Sequence, residues 1–491
     1  MAPFLARAQR TRVSAQNPTF VDTLMLAVVG LFTGGDILLA ARVLLAFLFG
    51  ANLVLFSFSV YMCTKRSLVA TGCGMLFFLL SEPTVFLHSM ALSEAPFIAF
   101  SMTGFFLFAQ HIVLPSPRCL VLSSLMIGLA AATRYMGVIL LPTLALSLFL
   151  LSGQSLRYKI RDVSLFSSIA ILPLSAWFIR NILTTQSTTS RVFLFHPVGF
   201  THVKDLITST YLFILPIGIS GLTKAMQLGA VAILFILAAG FIMRENGVKE
   251  RRSSIEIVLP SILIVYSVLY VLFLFFAISF FDADTSPSHR TLLPVLFAII
   301  VVCTSVARAL SDILPQACVW HAFVCFMVFS ISANAVPAIS RAATIHRNGH
   351  GYSSRCWRDS ATLAYLSRVP ETMTIYSNAV DAIRFLTQKD ANSLPAKICP
   401  LSLRKNGGYQ DGMDRIIREC EKGDAVIVYF DRKACRSYFP SKEEIGLLFS
   451  RPLAKEMEDG VVYGVTVLQD EAEGGAAQDG GGAAPDSLRE H

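Results

Sequence analysis

The sequence predicts a polytopic α-helical membrane protein of about eleven spans, with a small C-terminal α/β domain on the outward side. Three observations support this fold class. The 491-residue chain is 54% hydrophobic and only 15% charged, whereas soluble proteins average about 25% charged residues. Its apolar runs reach about 17–25 residues, enough for a helix to cross a hydrocarbon core roughly 30 Å thick. Their Leu, Phe, Ile, Val and Ala residues do not alternate with polar ones, so helices rather than membrane strands are expected.

The expected spans follow the apolar runs in chain order. They cover residues 18–34, 37–63, 66–81, 93–112, 119–131, 136–152, 163–180, 224–243, 255–280, 289–308 and 316–338. Residues 209–220 are expected to form a partial or re-entrant helix. These elements together define a transmembrane domain over residues 1–340.

Lysine and arginine cluster in alternate connections between these spans. Basic residues beside spans mark the cytoplasmic side, and that side receives Arg7, Arg10, Arg12, Lys65, Arg66, Arg118, Arg157, Lys159, Arg161, Arg244, Lys249, Arg251, Arg252 and Arg308. The other side receives loops 81–94 and 181–208, the stretch 280–294 and everything after about residue 340. The net charge of +8 therefore reflects topology. We expect a bacterial inner-membrane or ER membrane protein with its C-terminus outward or luminal, and no nucleic-acid partner.

Residues 346–470 have the composition of a small soluble domain. Helical patterns such as WRDSATLAYLSRV and GMDRIIRECEKG alternate with the apolar strands TMTIYSN, DAVIVYF and GVVYGVTVL, which favours an α/β unit. This unit contains no Gly-rich phosphate loop or activated-nucleophile motif, so we expect it to pack on the outward face and help to hold substrate. Residues 471–491 are rich in Gly and Ala and are expected to be disordered.

Four of the ten cysteines lie in this C-terminal segment, namely Cys356, Cys399, Cys420 and Cys435. In an oxidising compartment they could form two disulfides, with three possible connectivities. The sequence has no CxxC spacing or cluster of His and Cys typical of a zinc site, and its nine histidines are scattered. No bound metal is expected.

Ionisable residues concentrate on the expected outward side. Charged groups at membrane depth cost roughly 2.5–3.5 kcal/mol to insert, which makes them functional candidates. The set comprises Glu82, His88, Glu94, Arg134, Arg180, Arg191, His196, Asp282, Asp284, His289 and Arg290. A carboxylate can accept the proton of an attacking hydroxyl. Arginines can bind phosphate oxygens in bidentate fashion and stabilise the charge that leaves with them.

These residues also have structural interpretations. Glu94 could complement the dipole at the start of its helix, and Arg134 could extend its charged end to the membrane interface. Arg191 could belong to a solvated loop. Asp282 and Asp284 could likewise only solvate the loop at 280–294, and Arg290 could form an ion pair with one of these two aspartates. The common side of all these residues is what favours a site.

Several short motifs resemble membrane glycosyltransferases of the GT-C class. They are LSE at the start of a span, TRYMG after a Gly/Ala-rich helix, WFIRN followed by SR in a long loop, and D…HRTLLPVL. The resemblance covers roughly residues 37–310. It is strongest to bacterial transferases related to protein O-mannosyltransferase and aminoarabinose transferase, and around LSEAPF it extends to the mannosyltransferase that adds the second mannose of GPI anchors.

The resemblance implies a sugar donor carried on polyprenyl phosphate and a reaction on the outer or luminal face. It further implies a catalytic acid in the first outward loop. Between the first two expected spans the chain offers only Asp36, in the tight turn TGGD, which matches poorly. The candidate general bases are therefore Glu94 and Asp282.

We expect an inverting hexosyltransferase that moves a sugar, with mannose as one candidate, to a glycan, lipid or protein acceptor. The expected donor-phosphate ligands are Arg134, Arg180, Arg191 and Arg290, and further candidate residues are His196, Asp284 and His289. No cofactor is expected besides the donor substrate. The alternatives are an inactive or N-terminally truncated homologue that acts as a scaffold, and a transporter or flippase of lipid-linked substrates.

Overall fold

The structure is a computed structural model that describes residues 20–185, 193–216, 254–281, 285–311, 316–399, 404–433, 438–449 and 454–464. The chain divides into two compact units, Met1–Arg347 and Asn348–His491. The span expected at 224–243, the end of the partial helix after residue 216 and the tail at 471–491 lie outside the described residues.

The described part of the first unit consists mostly of helices. They are α1 (Phe20–Phe32), α2 (Ile37–Cys63), α3 (Leu68–Leu80), α4 (Glu82–His88), α5 (Glu94–Val113), α6 (Pro117–Thr133), α7 (Leu140–Leu151), α8 (Leu156–Thr185), α9 (Phe200–Ile214), α10 (Ile255–Phe280), α11 (His289–Ser311) and α12 (Gln316–Asn348). A 3₁₀ turn, Tyr135–Ile139, joins α6 to α7.

Not every apolar helix has the length to cross a membrane. Among the described residues, six helices do (α2, α5, α8, α10, α11 and α12), and α3 with α4 forms a seventh candidate that is bent by 59°. Helix α1 has 13 residues and extends only about 20 Å at 1.5 Å per residue, which is short of a core roughly 30 Å thick. The count of eleven spans is therefore not confirmed.

Helices α1 and α2 form a tight hairpin. Gly34 and Gly35 both have positive φ angles, of 65° and 86°, a conformation that glycine adopts without steric cost. Asp36 then begins α2 as its N-cap, where its carboxylate accepts hydrogen bonds from the amides of Leu38 and Leu39 at 2.9 and 3.0 Å. The acid of the TGGD turn thus has a capping role.

Glycines allow helices α5, α6 and α8 to approach closely. A Cβ at Gly104 would lie 2.6 Å from Ile127 of α6, and a Cβ at Gly128 would lie 2.6 Å from the carbonyl oxygen of Ala170 in α8. Small residues at helix interfaces are typical of membrane proteins, in which van der Waals packing drives helix association. The three helices consequently form a fixed frame for the residues at their ends.

The second unit contains a mixed five-stranded sheet. Its elements are α13 (Arg355–Arg358), α14 (Ala361–Leu366), β1 (Thr374–Ser377), α15 (Val380–Thr387), β2 (Asn392–Ser393), α16 (Tyr409–Glu421), β3 (Ala425–Phe430), α17 (Lys442–Leu448), β4 (Ala454–Met457) and β5 (Gly460–Tyr463). The strand order is β2-β1-β3-β5-β4. Strand β1 is parallel to β2 and β3, whereas β5 is antiparallel to β3 and β4.

Both faces of the central strand β3 are buried. Val426, Val428 and Phe430 belong to one apolar cluster, and Ile427 and Tyr429 belong to a second. A strand that is apolar at every position is typical of a sheet covered on both sides. Ser441 begins α17 with a capping box, since its hydroxyl accepts from the amide of Glu444 while that carboxylate accepts from the Ser441 amide.

The cysteines of this unit differ in environment. Cys356 is exposed and Cys420 is buried, and neither forms a disulfide. Cys435 lies outside the described residues. Within the described part of the chain, Cys356 and Cys420 therefore take no part in the two disulfides that four C-terminal cysteines could form.

Candidate functional site

Three residues of the sequence-predicted set meet at one end of the first unit. Glu94 begins α5 and is almost fully buried, with 1% of its side chain exposed, while Arg134 is 11% exposed and Arg290 is 54% exposed. Oε1 of Glu94 lies 2.9 Å from Nη1 of Arg134 and 2.7 Å from Nε of Arg290. One carboxylate oxygen thus lies between two guanidinium groups from different helices. We call this arrangement the Glu94 cluster.

Local backbone geometry positions each of the two arginines. Arg134 follows the last residue of α6 in an extended conformation, and its carbonyl accepts a hydrogen bond from Gly137 at 2.8 Å. A Cβ at Gly137 would lie 2.7 Å from Cα of Ala131, so a glycine is needed for the chain to fold back against α6. Arg290 is the second residue of α11.

A buried asparagine fixes the start of α5. Asn52, in the middle of α2, donates hydrogen bonds from Nδ2 to the carbonyl oxygen of Ala95 at 2.9 Å and to Nε2 of His88 at 3.0 Å. His88 Nδ1 donates in turn to the carbonyl oxygen of Thr84, which is the tautomer that leaves Nε2 as an acceptor. Helices α2, α4 and α5 are therefore linked directly beside Glu94.

The Glu94 cluster keeps unused hydrogen-bonding capacity. Among the described residues, Oε2 of Glu94 has no hydrogen-bond partner, and Nη1 of Arg134 has no acceptor in hydrogen-bonding alignment despite its ion pair. Buried polar atoms are normally satisfied in folded proteins. An oxyanion bound here would supply the acceptor that the Arg134 guanidinium lacks.

Asp22 of α1 is a second carboxylate beside this cluster, and the sequence reasoning did not single it out. Both of its carboxylate oxygens are buried and have no hydrogen-bond partner among the described residues. It lies within electrostatic range of Glu94 and Arg134, and α1 packs against α2 and α6. Its position in an apolar run looked like part of a span, so only the packing of α1 revealed it.

Aromatic residues line the same region. The guanidinium carbon of Arg134 lies 5.9 Å from the centre of the Phe97 ring. Tyr266 and Tyr270 of α10 are buried within electrostatic range of Arg134. Tyr270 donates to the carbonyl oxygen of Thr291 at 2.6 Å, whereas the Tyr266 hydroxyl has no partner among the described residues. These rings reduce water access and strengthen the electrostatic interactions of the cluster.

The other predicted residues have separate environments. Arg180 lies 4.8 Å over the Trp177 ring and donates to Oδ1 of Asn181 at 3.2 Å, both on its own helix. The amide of His196 donates to the carbonyl oxygen of Ser279 at 2.6 Å, and His289 lines a neighbouring cavity. The predicted residues Arg191, Asp282 and Asp284 lie outside the described residues. Within the described part of the chain, no group of three or more His, Cys, Asp or Glu residues could hold a metal ion.

Comparison with known proteins gives a similarity of fold. No protein-family model and no curated protein sequence matches the chain. The chain is similar to the crystal structure of ArnT from Cupriavidus metallidurans in the apo state, with a TM-score of 0.52 over 91% of this chain and 88% of that one. The sequences are 13% identical, so the likeness concerns the fold alone. The apolar helices and this likeness together indicate an integral membrane protein whose fold is similar to that of ArnT.

Proposed function

We propose that the protein is a membrane glycosyltransferase that moves a sugar from a polyprenyl-phosphate donor to a hydroxyl-bearing acceptor. The fold supports the class, because ArnT is an aminoarabinose transferase of the GT-C type. The observation that carries the proposal is the Glu94 cluster, in which Arg134 and Arg290 converge on one buried carboxylate. Beside it lies Asp22, which has no hydrogen-bond partner among the described residues.

In this proposal the two arginines bind the donor phosphate. Guanidinium groups bind phosphate oxygens with strong, charge-assisted hydrogen bonds. Glu94 holds both groups in place through Oε1, which already interacts with both cations, whereas neither carboxylate oxygen of Asp22 has a hydrogen-bond partner among the described residues. The geometry therefore favours Glu94 as the positioning residue and Asp22 as the general base.

The reaction is a single displacement. The acceptor hydroxyl gives its proton to the Asp22 carboxylate while its oxygen forms a bond to the anomeric carbon. The bond between that carbon and the phosphate oxygen breaks, and polyprenyl phosphate leaves with the electron pair. Arg134 and Arg290 stabilise the charge that develops on the leaving phosphate. One displacement inverts the anomeric configuration.

The remaining sequence candidates keep supporting roles in the proposal. Arg180 and Arg191 are proposed phosphate ligands, and Asp282 remains a second candidate for the general base. His196, Asp284 and His289 are proposed to contact donor or acceptor. The C-terminal segment 346–470 and the reaction are both proposed to lie on the outward or luminal side of the membrane. Mannose is the proposed sugar, on the strength of the LSEAPF resemblance.

The test is a transfer assay with the full chain in lipid nanodiscs. Polyprenyl-phosphate mannose and polyprenyl-phosphate aminoarabinose serve as donors, with glycan, lipid and peptide acceptors. We expect product of inverted configuration, and a rate about 10²–10⁴-fold lower for Asp22→Asn, as is typical when a general base is lost. Asp36→Asn is the matched control, because it removes a carboxylate from the same hairpin at a capping position.

Parallel variants Glu94→Gln and Asp282→Asn separate the candidate bases. A normal rate for Asp22→Asn, with a large loss for Asp282→Asn at equal folded yield, would transfer the base role to Asp282. If no donor supports transfer and polyprenyl phosphate is measurably translocated across the vesicle membrane, the transferase proposal is wrong and the protein is a transporter.

A further inference from the structure

A cavity separate from the Glu94 cluster lies in the first unit between α4, α9, α11 and α12. Its volume is about 520 Å³, which is within the range of ligand pockets, roughly 300–1,000 Å³. Its polar lining residues are Glu82, His289, Ser340, Arg341 and Thr344, and the remaining lining is Pro and Leu. We call it the Glu82–Arg341 cavity. Apart from the proposed contact of His289 with donor or acceptor, the proposed reaction assigns it no role.

The charged groups of this cavity compensate one another. Nε of Arg341 donates to Oε1 of Glu82 at 2.7 Å, and its guanidinium carbon lies 5.2 Å from the centre of the Phe86 ring. The cation is thereby held in place by an anion and an aromatic face. Since one positive charge offsets one negative charge, the cavity does not favour an anion such as phosphate, in contrast to the Glu94 cluster.

The cavity offers many hydrogen-bonding atoms to a neutral ligand. Glu82 and Arg341 are 23% and 46% exposed, so oxygen and nitrogen atoms outside the ion pair remain accessible. Ser340 and Thr344 lie one turn apart on α12 and add two hydroxyl groups. The Thr344 hydroxyl donates to the carbonyl oxygen of Ser340 at 2.9 Å, so it can only accept from a ligand. Nδ1 of His289 is buried and has no partner among the described residues. Carboxylate, guanidinium and hydroxyl groups beside apolar proline faces suit a ring that carries several hydroxyls.

The cavity is joined to the Glu94 cluster through two elements. His289 directly precedes Arg290 at the start of α11, and α4 carries Glu82 and leads within a few residues to Glu94. Helix α4 also packs against α11. A ligand in the cavity would therefore lie beside the proposed phosphate site.

We propose that the Glu82–Arg341 cavity binds a neutral saccharide ring, which is the acceptor's sugar in the proposed reaction. The assignment to the acceptor rests on the proposed function, whereas binding of the ring itself depends only on the cavity. The same chemistry could come from the sugar of the donor, and the experiment distinguishes the two sources.

The experiment measures binding to the full chain in nanodiscs by saturation-transfer NMR. The probes are methyl α-mannopyranoside and methyl β-glucopyranoside, and inorganic phosphate, which has no carbon-bound protons, is followed by the broadening of its ³¹P signal. Polyprenyl phosphate is titrated separately. We expect signal from at least one methyl glycoside and none from phosphate at this cavity. Ser340→Ala should weaken glycoside binding about three- to tenfold, as for a neutral hydrogen bond, and Glu82→Gln by about tenfold or more.

Controls separate folding, donor binding and cavity binding. Ser332→Ala is the matched control for Ser340→Ala, because Ser332 is exposed on the same helix and donates only within it. Both cavity variants should leave polyprenyl-phosphate affinity within twofold, whereas Arg134→Gln should lower that affinity and leave glycoside binding unchanged. If polyprenyl-phosphate mannose, but no free glycoside, responds to Ser340→Ala, the ring belongs to the donor and the acceptor assignment is wrong.

Two further outcomes would overturn the cavity proposal. One is glycoside binding that is absent in the parent chain, or that is unchanged in Ser340→Ala although the variant unfolds at the parent temperature. The other is phosphate binding that Arg341→Gln abolishes, which would make the cavity an anion site. Glycoside binding without any transfer activity would leave the cavity proposal intact and contradict only the proposed function.

Discussion

At the scale of single residues, the two arginines of the Glu94 cluster have different surroundings. Arg134 is almost buried, lies against Phe97 and has a guanidinium nitrogen that finds no aligned acceptor within the described part of the chain. Arg290 is more than half exposed and donates to Glu94 from Nε. Desolvation strengthens charge-assisted hydrogen bonds. Arg134 should therefore contribute more to phosphate affinity than Arg290.

The first prediction concerns Arg134→Lys. A lysine keeps the charge but loses the planar fork that binds two oxygens. We expect polyprenyl-phosphate affinity to fall roughly 10–100-fold, the equivalent of one hydrogen bond to a charged group. Titration of the full chain in nanodiscs, followed by calorimetry, measures this. Arg118→Lys, an exposed position at the other end of α6, should bind like the parent, and equal affinities for both variants would remove Arg134 from the phosphate site.

A second residue-scale prediction uses the pKa of Asp459 in the C-terminal unit. Burial opposes its charged form, but hydrogen bonds from Ser360 and Thr362, with the Arg432 charge, outweigh burial and lower the pKa below its ordinary value of 3.8. The Thr362 hydroxyl and amide donate at 2.7 and 3.0 Å. A depressed folded-state pKa stabilises the fold above the unfolded-state pKa, and this stabilisation is lost as the pH falls through the folded-state value.

We therefore expect protection of the 360–363 backbone against hydrogen exchange to fall when the pH decreases below about 4. Asp459→Asn should lower that protection at pH 6 by about 1–3 kcal/mol, since it leaves buried donors without a charged acceptor. The same variant should no longer lose protection when the pH is lowered. Exchange mass spectrometry of the full chain, corrected for the intrinsic pH dependence, measures both effects. Asp390→Asn, at an exposed position, is the control; parent-like behaviour of Asp459→Asn would contradict the assignment.

At the scale of elements, the close approach of α6 to α8 gives a packing prediction. Gly128→Ala would place a methyl group 2.6 Å from the Ala170 carbonyl oxygen and 3.0 Å from Pro173. Both neighbours are rigid, so the helices must separate, and overpacking of this kind costs about 1–3 kcal/mol. The unfolding temperature in detergent should fall accordingly.

Gly72→Ala provides the matched control for that change. Gly72 lies in α3 with no atom within 4 Å of its would-be Cβ, and a helical Gly→Ala change is stabilising by roughly 0.5–1 kcal/mol. We therefore expect the unfolding temperature to fall in Gly128→Ala and to rise in Gly72→Ala. An equal fall in the unfolding temperature of Gly72→Ala would show that helix propensity and lipid exposure, rather than the α6–α8 contact, determine the effect of these substitutions.

At the scale of the whole molecule, the alternation of basic connections predicts which side each end faces. We expect a cysteine introduced at Asn392 to react with an impermeant reagent on intact cells, and one at Ser155 to react only after permeabilisation. Both positions are exposed, and the experiment uses a Cys356→Ser background because Cys356 is exposed as well. The opposite labelling pattern would invert the topology and move the Glu94 cluster to the cytoplasmic side.

The sequence by itself determined the bounds of several helices of the membrane unit, although it placed α4 and the start of α9 in the loops 81–94 and 181–208. The apolar run at 255–280 coincides with α10, and the run at 37–63 coincides with α2. These elements follow from local properties, namely the length of apolar runs and the caps at their ends. The length of the apolar run did not show that α1 is too short to span the membrane. In the sequence, the apolar residues of α1 continue almost directly into those of α2, with only the Gly34–Gly35 turn between them.

Only the tertiary structure decided which charged residues act together. Glu94 and Arg290 are 196 positions apart in sequence, yet they share a 2.7 Å hydrogen bond. Sequence reasoning selected both, but it could not select Asp22, which carries no motif and becomes notable only when α1 packs beside α6. Packing between helices that are distant in sequence decides which charged side chains meet. A carboxylate without an ion-pair partner can be recognised only once its neighbours are known.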